Sequence, residues 1–205
     1  MKTDEMIRRI QRELEVAVDG KAGPETWGAI YHRIVRPDSD PQPAFIGRGD
    51  RTNERSEREI ARLLPSVRPL ARALFFKALE HGIQINILSG FRSYAEQDAL
   101  YARGRRAVRG EKIVTNAHGG QSTHNFGIAF DIGVFEGGRY LRDSPKYKAV
   151  GVLGEELGLE WGGNWTSLVD QSHFEMRPAW SKGMSNRNTL AELRRRKARG
   201  EELLA

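Results

Sequence analysis

The sequence predicts an α+β fold: a small antiparallel sheet with flanking helices, preceded by a short helical hairpin. Three observations carry this reading. Alternating or apolar stretches at Ile83–Ile87, Ile128–Phe135 and 172–176 read as strands. Apolar residues at helical spacing mark helices between and around them. The strands and helices do not follow the regular βαβ order that a parallel sheet requires.

In chain order, Met6, Ile7, Ile10 and Leu14 fall on one helical face, and Val18-Asp19-Gly20 makes a turn. Pro24 then sits at a first helical position, where its missing N–H costs nothing, and Trp27, Ile30, Tyr31 and Ile34 continue at helical spacing. This is the hairpin, residues 1–36. Residues 37–53, with three prolines and two glycines among polar residues, read as a linker. The principal domain spans 54–180. It opens with a helical pattern broken at Pro65 and Pro69. Ser93-Tyr94-Ala95-Glu96 forms a capping box that starts a helix running to about Arg103. Residues 113–127 are loop-like. Glu136-Gly137-Gly138 makes a hairpin turn, and Ser144-Pro145 opens a helix with Tyr147, Val150, Leu153 and Leu157 on one face. Residues 181–205 form a basic helical tail, whose charges by themselves suggest a solvated helix.

The chain has 205 residues, 39% hydrophobic and 29% charged, which suits one ordinary core with a small appendage. No apolar run is long enough to span a bilayer, so stable membrane insertion is not expected. The first residues lack the apolar segment of a secretory signal peptide. The absence of cysteine excludes disulfides, thiolate nucleophiles and cysteine zinc sites. A net charge of +6 attracts polyanions. Nucleic acid is one candidate and an anionic cell envelope is another; no arginine–aromatic stripe or nucleic-acid motif favours the first, so a nucleic-acid partner is not expected. A monomer is expected.

The chemistry centres on two of the five histidines. His124 precedes Asp131 in Ser122-Thr123-His124-Asn125-Phe126-Gly127-Ile128-Ala129-Phe130-Asp131. His173 follows in Asp170-Gln171-Ser172-His173-Phe174-Glu175. Two imidazoles and a carboxylate, with a fourth position left to water, make a catalytic zinc set, and zinc lowers the pKa of its water to about 7. Strand alternation turns Phe130, Ile132 and Val134 to the core and Ala129, Asp131 and Gly133 to the opposite face. On spacing alone, a buried aspartate with a local hydrogen-bond role remains the alternative for Asp131.

The joint pattern SxHxxGxAxD (122–131) and DxxH (170–173), with Ser89-Gly90-Phe91-Arg92-Ser93, Glu96-Gln97, Gly158-Leu159-Glu160-Trp161-Gly162-Gly163-Asn164-Trp165 and His173-Phe174-Glu175, resembles the M15 zinc metallopeptidases over residues 54–178. Asp at position 170 resembles the L-alanyl-D-glutamate endopeptidase branch, which includes phage endolysins. The resemblance implies that His124, Asp131 and His173 hold zinc. It implies that Asp170 is the general base, and that Arg92 lies near the scissile bond, where a guanidinium can pair with a carboxylate or steady an oxyanion. A base three residues before His173 must lie on a turn leading into the strand. Glu175 shares a strand face with His173 and is its rival, either as base or as the partner that orients His173. A plain salt bridge is the alternative for Arg92. Trp161 and Trp165 either wall the cleft or pack in the core. His118 and Ser122 read as loop residues. Residues 10–27 resemble the helix–DG-loop–GPxT–helix part of peptidoglycan-binding modules, so the hairpin either binds wall or simply packs.

The expected function is hydrolysis of the L-Ala–D-Glu bond of the peptidoglycan stem peptide by an endolysin held in the host cytoplasm until it is released to the wall. The competing expectations are a D-Ala-D-Ala carboxypeptidase and, in a different class, a non-catalytic wall-binding protein.

Overall fold

The computed structural model describes residues 2–14, 16, 18–21, 26, 52–103, 105 and 113–205. The chain divides into two compact units, Met1–Arg48 and Gly49–Ala205.

In the first unit, helix α1 spans Thr3–Glu13. Ile7, Ile10 and Leu14 are half-buried, but Met6 is exposed and the buried position belongs to Gln11. Its side chain ties the following turn together. Gln11 Nε2 donates to Asp19 Oδ1 (2.7 Å) and Thr26 Oγ1 (2.9 Å), and Gln11 Oε1 accepts from Gly20 N (2.8 Å). A buried amide needs such partners, and an apolar-face count is blind to them. The second helix of the expected hairpin and nearly all of the linker lie outside the described residues.

The second unit begins with α2 (Glu54–Ala61), capped by the Asn53 side chain, which accepts from Ser56 N. Pro65 lies in the turn that follows, and Pro69 falls in the first turn of α3 (Arg68–Glu80), where a missing N–H is tolerated. Then come β1 (Gln84–Ser89), α4 (Tyr94–Ala102) with the expected Ser93/Glu96 capping box, and β2 (Ala129–Glu136). A turn at Gly137-Gly138 leads to β3 (Arg139–Leu141), followed by α5 (Lys146–Glu156), β4 (Glu160–Trp161), β5 (His173–Glu175) and α6 (Asn186–Arg199).

The sheet is antiparallel, ordered β1-β2-β5-β4, with β3 also paired to β2. Since β1 occupies one edge of β2, β3 and β5 share the other: β5 pairs with Ala129–Asp131 and β3 with Val134–Glu136. One face of the sheet is core. Ile85, Ile87, Phe130, Ile132, Val134 and Phe174 cluster with Leu74 and Ala78 of α3 and Val150 of α5. Phe130 and Phe174 are a direct cross-strand pair, stacked at 5.8 Å. The opposite face of β2 therefore presents Asp131. Among the described residues, no helix is long and apolar enough to cross a membrane.

One ion pair joins α2 to α3. Arg72 Nη2 lies 2.6 Å from Glu57 Oε2, its Nε donates to Oε1 at 3.0 Å, and Thr52 adds its N–H and hydroxyl. The Arg72 hydrogen bond outweighs burial and, with help from Thr52, holds the Glu57 carboxyl down at about 2. A depressed carboxyl contributes stability that is complete above its unfolded value and is lost as pH falls through the folded value. Arg72→Met should therefore lower stability by about 1–3 kcal/mol at pH 7. The gap from wild type should close as pH drops from about 4.5 toward 2. Thermal melts across that range check it; a gap independent of pH would contradict it.

Candidate metal centre

His124 sits on a 3₁₀ turn, Thr123–Phe126, immediately before β2. Gly127 closes that turn at φ +69, a left-handed conformation in which a side chain is strained, and its Cβ position lies 3.2 Å from Leu64 N. This turn aims the imidazole back at the strand that follows. Its Nδ1 lies 2.8 Å from the Gly90 carbonyl just beyond β1. A carbonyl only accepts, so Nδ1 carries the proton and Nε2 turns its lone pair inward.

Asp131 and His173 face each other directly across the β2–β5 pair. Asp131 Oδ1 lies 3.2 Å from His124 Nε2 and 3.3 Å from His173 Nδ1. His173 Nε2 lies 3.1 Å from Glu175 Oε2. Thus each imidazole has an acceptor on its outer nitrogen and directs its inner nitrogen at one carboxylate oxygen.

The electrostatics suit a cation. Burial pushes the Asp131 carboxyl up, but His124 and His173 outweigh it and hold it well below the usual range. Glu175 is likewise lowered, with His173 outweighing burial. Burial would push His173 down, yet its hydrogen bonds to Asp131 and Glu175 hold it up at about 10. A positive charge is therefore favoured between these groups. One donor atom from each of His124, Asp131 and His173 falls within 4.8 Å of the others, so the three can hold a metal ion. Two imidazole nitrogens and an ionised carboxylate match a three-ligand catalytic zinc set, and their outer acceptors are the kind of partner that fixes a ligating histidine.

The remaining expected residues fall at different distances from this centre. Arg92 borders it: Nη2 lies 4.0 Å from Asp131 Oδ2 and donates to Ser89 Oγ (3.1 Å), while Nη1 donates to Gln97 Oε1 (2.8 Å). Asp170 is outside the three-donor cluster and, as expected, lies on the turn into β5. Its Oδ1 accepts from Ser172 Oγ (2.7 Å) and N (3.1 Å), and its carbonyl accepts from His173 N. Gly162 makes room for that turn, because a Cβ there would lie 2.6 Å from the Asp170 carbonyl oxygen. Asp170 lines a hollow of about 360 Å³ with Tyr140, Arg142 and Tyr147. Its lining comes from β3, the loop after it, the start of α5 and the segment leading into β5. Glu175 is buried with its carboxylate on the outer nitrogen of His173, the position of an orienting partner. The two tryptophans divide: Trp161 is core, whereas the Trp165 ring lies 4.8 Å from that of His173. Ser122 caps its turn with Asn125, and exposed His118 lies 3.5 Å from Asp98.

Sequence reasoning missed two supports. Gln97 is fully buried, holding Arg92 and donating to the Ala117 carbonyl (2.8 Å). Asn125 is also fully buried; its Oδ1 accepts from Gly120 N (2.9 Å) and its Nδ2 donates to the Arg92 carbonyl (2.9 Å). The available signal was their position inside the motifs, next to Arg92 and His124.

Fold and donor set together define an α+β domain with a His-Asp-His metal-binding site. Comparison with known proteins gives the lineage. The family described as D-alanyl-D-alanine carboxypeptidase matches residues 115–176, a range that contains His124, Asp131, Asp170 and His173. The peptidoglycan L-alanyl-D-glutamate endopeptidase CwlK of Bacillus subtilis (strain 168) is 38% identical over 126 residues, covering 57% of this chain and 74% of that protein. The chain belongs to the M15 peptidase family. Among solved structures, the Serratia marcescens L-Ala D-Glu endopeptidase ChiX is 24% identical with a TM-score of 0.47, over 67% of this chain and 95% of that one. A mutant of the vancomycin-resistance D,D-pentapeptidase VanY in complex with Zn(II) is 16% identical with a TM-score of 0.46, over 63% and 78%.

Proposed function

We propose that this chain is a zinc-dependent peptidoglycan peptidase that hydrolyses the L-Ala–D-Glu bond of the stem peptide. The observation that carries the reading is the convergence of His124 Nε2, His173 Nδ1 and an Asp131 carboxylate oxygen, each imidazole held from behind by its own acceptor. The similarity to CwlK supports the bond chosen.

A zinc ion held by these three residues would supply Lewis acidity and make a water acidic enough to attack at neutral pH. The chain's own groups do the rest. With Oδ1 of Asp170 engaged by Ser172, Oδ2 is the oxygen that takes the proton from the attacking water and returns it to the leaving amine. Arg92, braced by Gln97 and Ser89, presents its free N–H groups beside Asp131 to the scissile carbonyl or to the free α-carboxylate of D-Glu. Trp165 walls the site at His173. The lytic role is part of the same proposal, supported by a net charge of +6 that suits an anionic envelope.

Digestion of purified peptidoglycan followed by mass spectrometry tests the reading. New N-terminal D-glutamate amines should appear without new reducing sugar ends, and about one equivalent of zinc should accompany the active protein. The family description favours one other reading, a D-Ala-D-Ala carboxypeptidase; release of free D-alanine alone would select it. New reducing ends would overturn both.

A further inference from the structure

The basic C-terminal helix α6 begins ten residues beyond the stretch matched by the family description, yet it is seated on the loop that carries His124. Leu190 and Leu193 pack with Phe126 and Ile128 on either side of Gly127. Two of its exposed basic side chains reach back onto that loop. Lys197 Nζ donates to the Asn125 carbonyl at 2.8 Å, and Arg194 Nη1 donates to the Gly120 carbonyl at 2.8 Å. The Lys197 ammonium also sits over three aromatic rings, 4.5 Å from the centre of Tyr94 and 5.5 Å from those of Phe91 and Phe126. A cation over several ring faces in a partly desolvated place is held by their quadrupoles as well as by its hydrogen bond. Burial accordingly lowers its affinity for the proton.

The two carbonyls that α6 grips lie on either side of His124, one ahead of its turn and one within it. From Asn125 the network runs inward: its side chain donates to the Arg92 carbonyl, and Arg92 N in turn donates to the His124 carbonyl at 3.0 Å. Fixing Asn125 thus fixes the backbone of one metal donor and of the arginine beside it. The 3₁₀ turn is only four residues long, so its own hydrogen bonds define its orientation poorly, and an external grip is what such a turn needs. We propose that Lys197, with Arg194, is a positioning residue of the metal centre: α6 clamps the His124 turn in its metal-binding orientation. The proposal rests on the metal reading of His124, Asp131 and His173.

The test uses the full-length protein and zinc as the probe, with competition against a chelator for affinity and stem-peptide hydrolysis for kcat and KM. Lys197→Met keeps the alkyl chain and removes the charge and the donor. It should weaken zinc binding about tenfold, the low end for partners that act through a ligand. It should also lower kcat more than it raises KM, and Lys197→Arg should recover part of both. Arg196→Met is the control for helix stability alone, since that guanidinium lies over Trp180 and bonds the Glu202 carbonyl rather than the His124 turn. It should lower Tm without changing zinc affinity. Zinc affinity and kcat of Lys197→Met within twofold of wild type, at a temperature where both are folded, would overturn the clamp and leave the metal site standing. A wild-type chain that takes up no zinc would overturn the metal site and the clamp with it.

Discussion

Replacing His173 with alanine should cost more than about a hundredfold in metal affinity, beyond the 10–100-fold typical of losing an outer partner, and should leave turnover at background. His173 is the hub of the buried charge network. Its Nδ1 faces Asp131 and its Nε2 faces Glu175. Truncation removes one of three donors and leaves the buried Glu175 and the half-buried Asp131 carboxylates without their common partner. Breaking a buried ion pair in this way typically costs about 3–5 kcal/mol, so the variant should also melt early. His173→Gln fills the space and can still donate to Glu175, which separates metal loss from loss of fold. Glu175→Gln should show the lesser phenotype of an outer partner: about 10–100-fold weaker metal, with turnover recovering at saturating zinc. Metal content measured on folded protein decides; a His173→Ala chain that retains stoichiometric zinc would remove His173 from the ligand set.

Asp170→Asn should do the opposite. The amide oxygen still accepts from Ser172, so the turn into β5 survives, and all three donors remain. Zinc should stay bound while kcat falls by about 10²–10⁴, the usual contribution of a positioned proton-transfer group. The substrate contacts are untouched, so KM should move little. If Asp170→Asn works at near wild-type rates while Glu175→Gln holds zinc and is dead, the base is Glu175 and the hydrogen bond seen between Glu175 and His173 must open during turnover.

The sequence was most informative where periodicity and chemistry coincide. Alternation along 128–135 placed Asp131 opposite the core because Phe130, Ile132 and Val134 all had to be buried, and they are. The Ser93–Glu96 box carries its own hydrogen bonds and so needed no tertiary information. Strands β3 and β4, of three and two residues, were not legible: pieces that short have no period and exist only because β2 and β5 offer them a partner. In the loop-like reading of 113–127, the 3₁₀ turn of His124 was likewise invisible. It depends on contacts with Leu64, Gly90 and α6 that lie far away in sequence. The solvated reading of the basic tail holds for exposure, since Arg194, Lys197 and Arg199 are exposed, but it does not foresee the contacts that two of them make. Charge density says nothing about which lysine finds three aromatic rings, and Lys197 does. For the two tryptophans, sequence left core and cleft equally open; each answer holds for one of them.

The direct opposition of Asp131 and His173 across β2 and β5 makes the metal site a readout of strand alignment. Side chains alternate with a period of two, so slipping β5 by one residue would bring Phe174 round to the donor face and send His173 into the apolar layer. Only two of the three donors, His124 and Asp131, would then remain together. A cation gripped from both strands also ties together positions 42 residues apart, closing the segment between them much as a covalent staple would. Any state that binds the ion must have its hairpins, crossovers and strand offsets already correct. By mass action the ion then stabilises that one alignment over every competitor, by about 4 kcal/mol at a thousandfold excess over its dissociation constant. The same atoms that would make the chain a catalyst thereby act as a proofreader of its own folding.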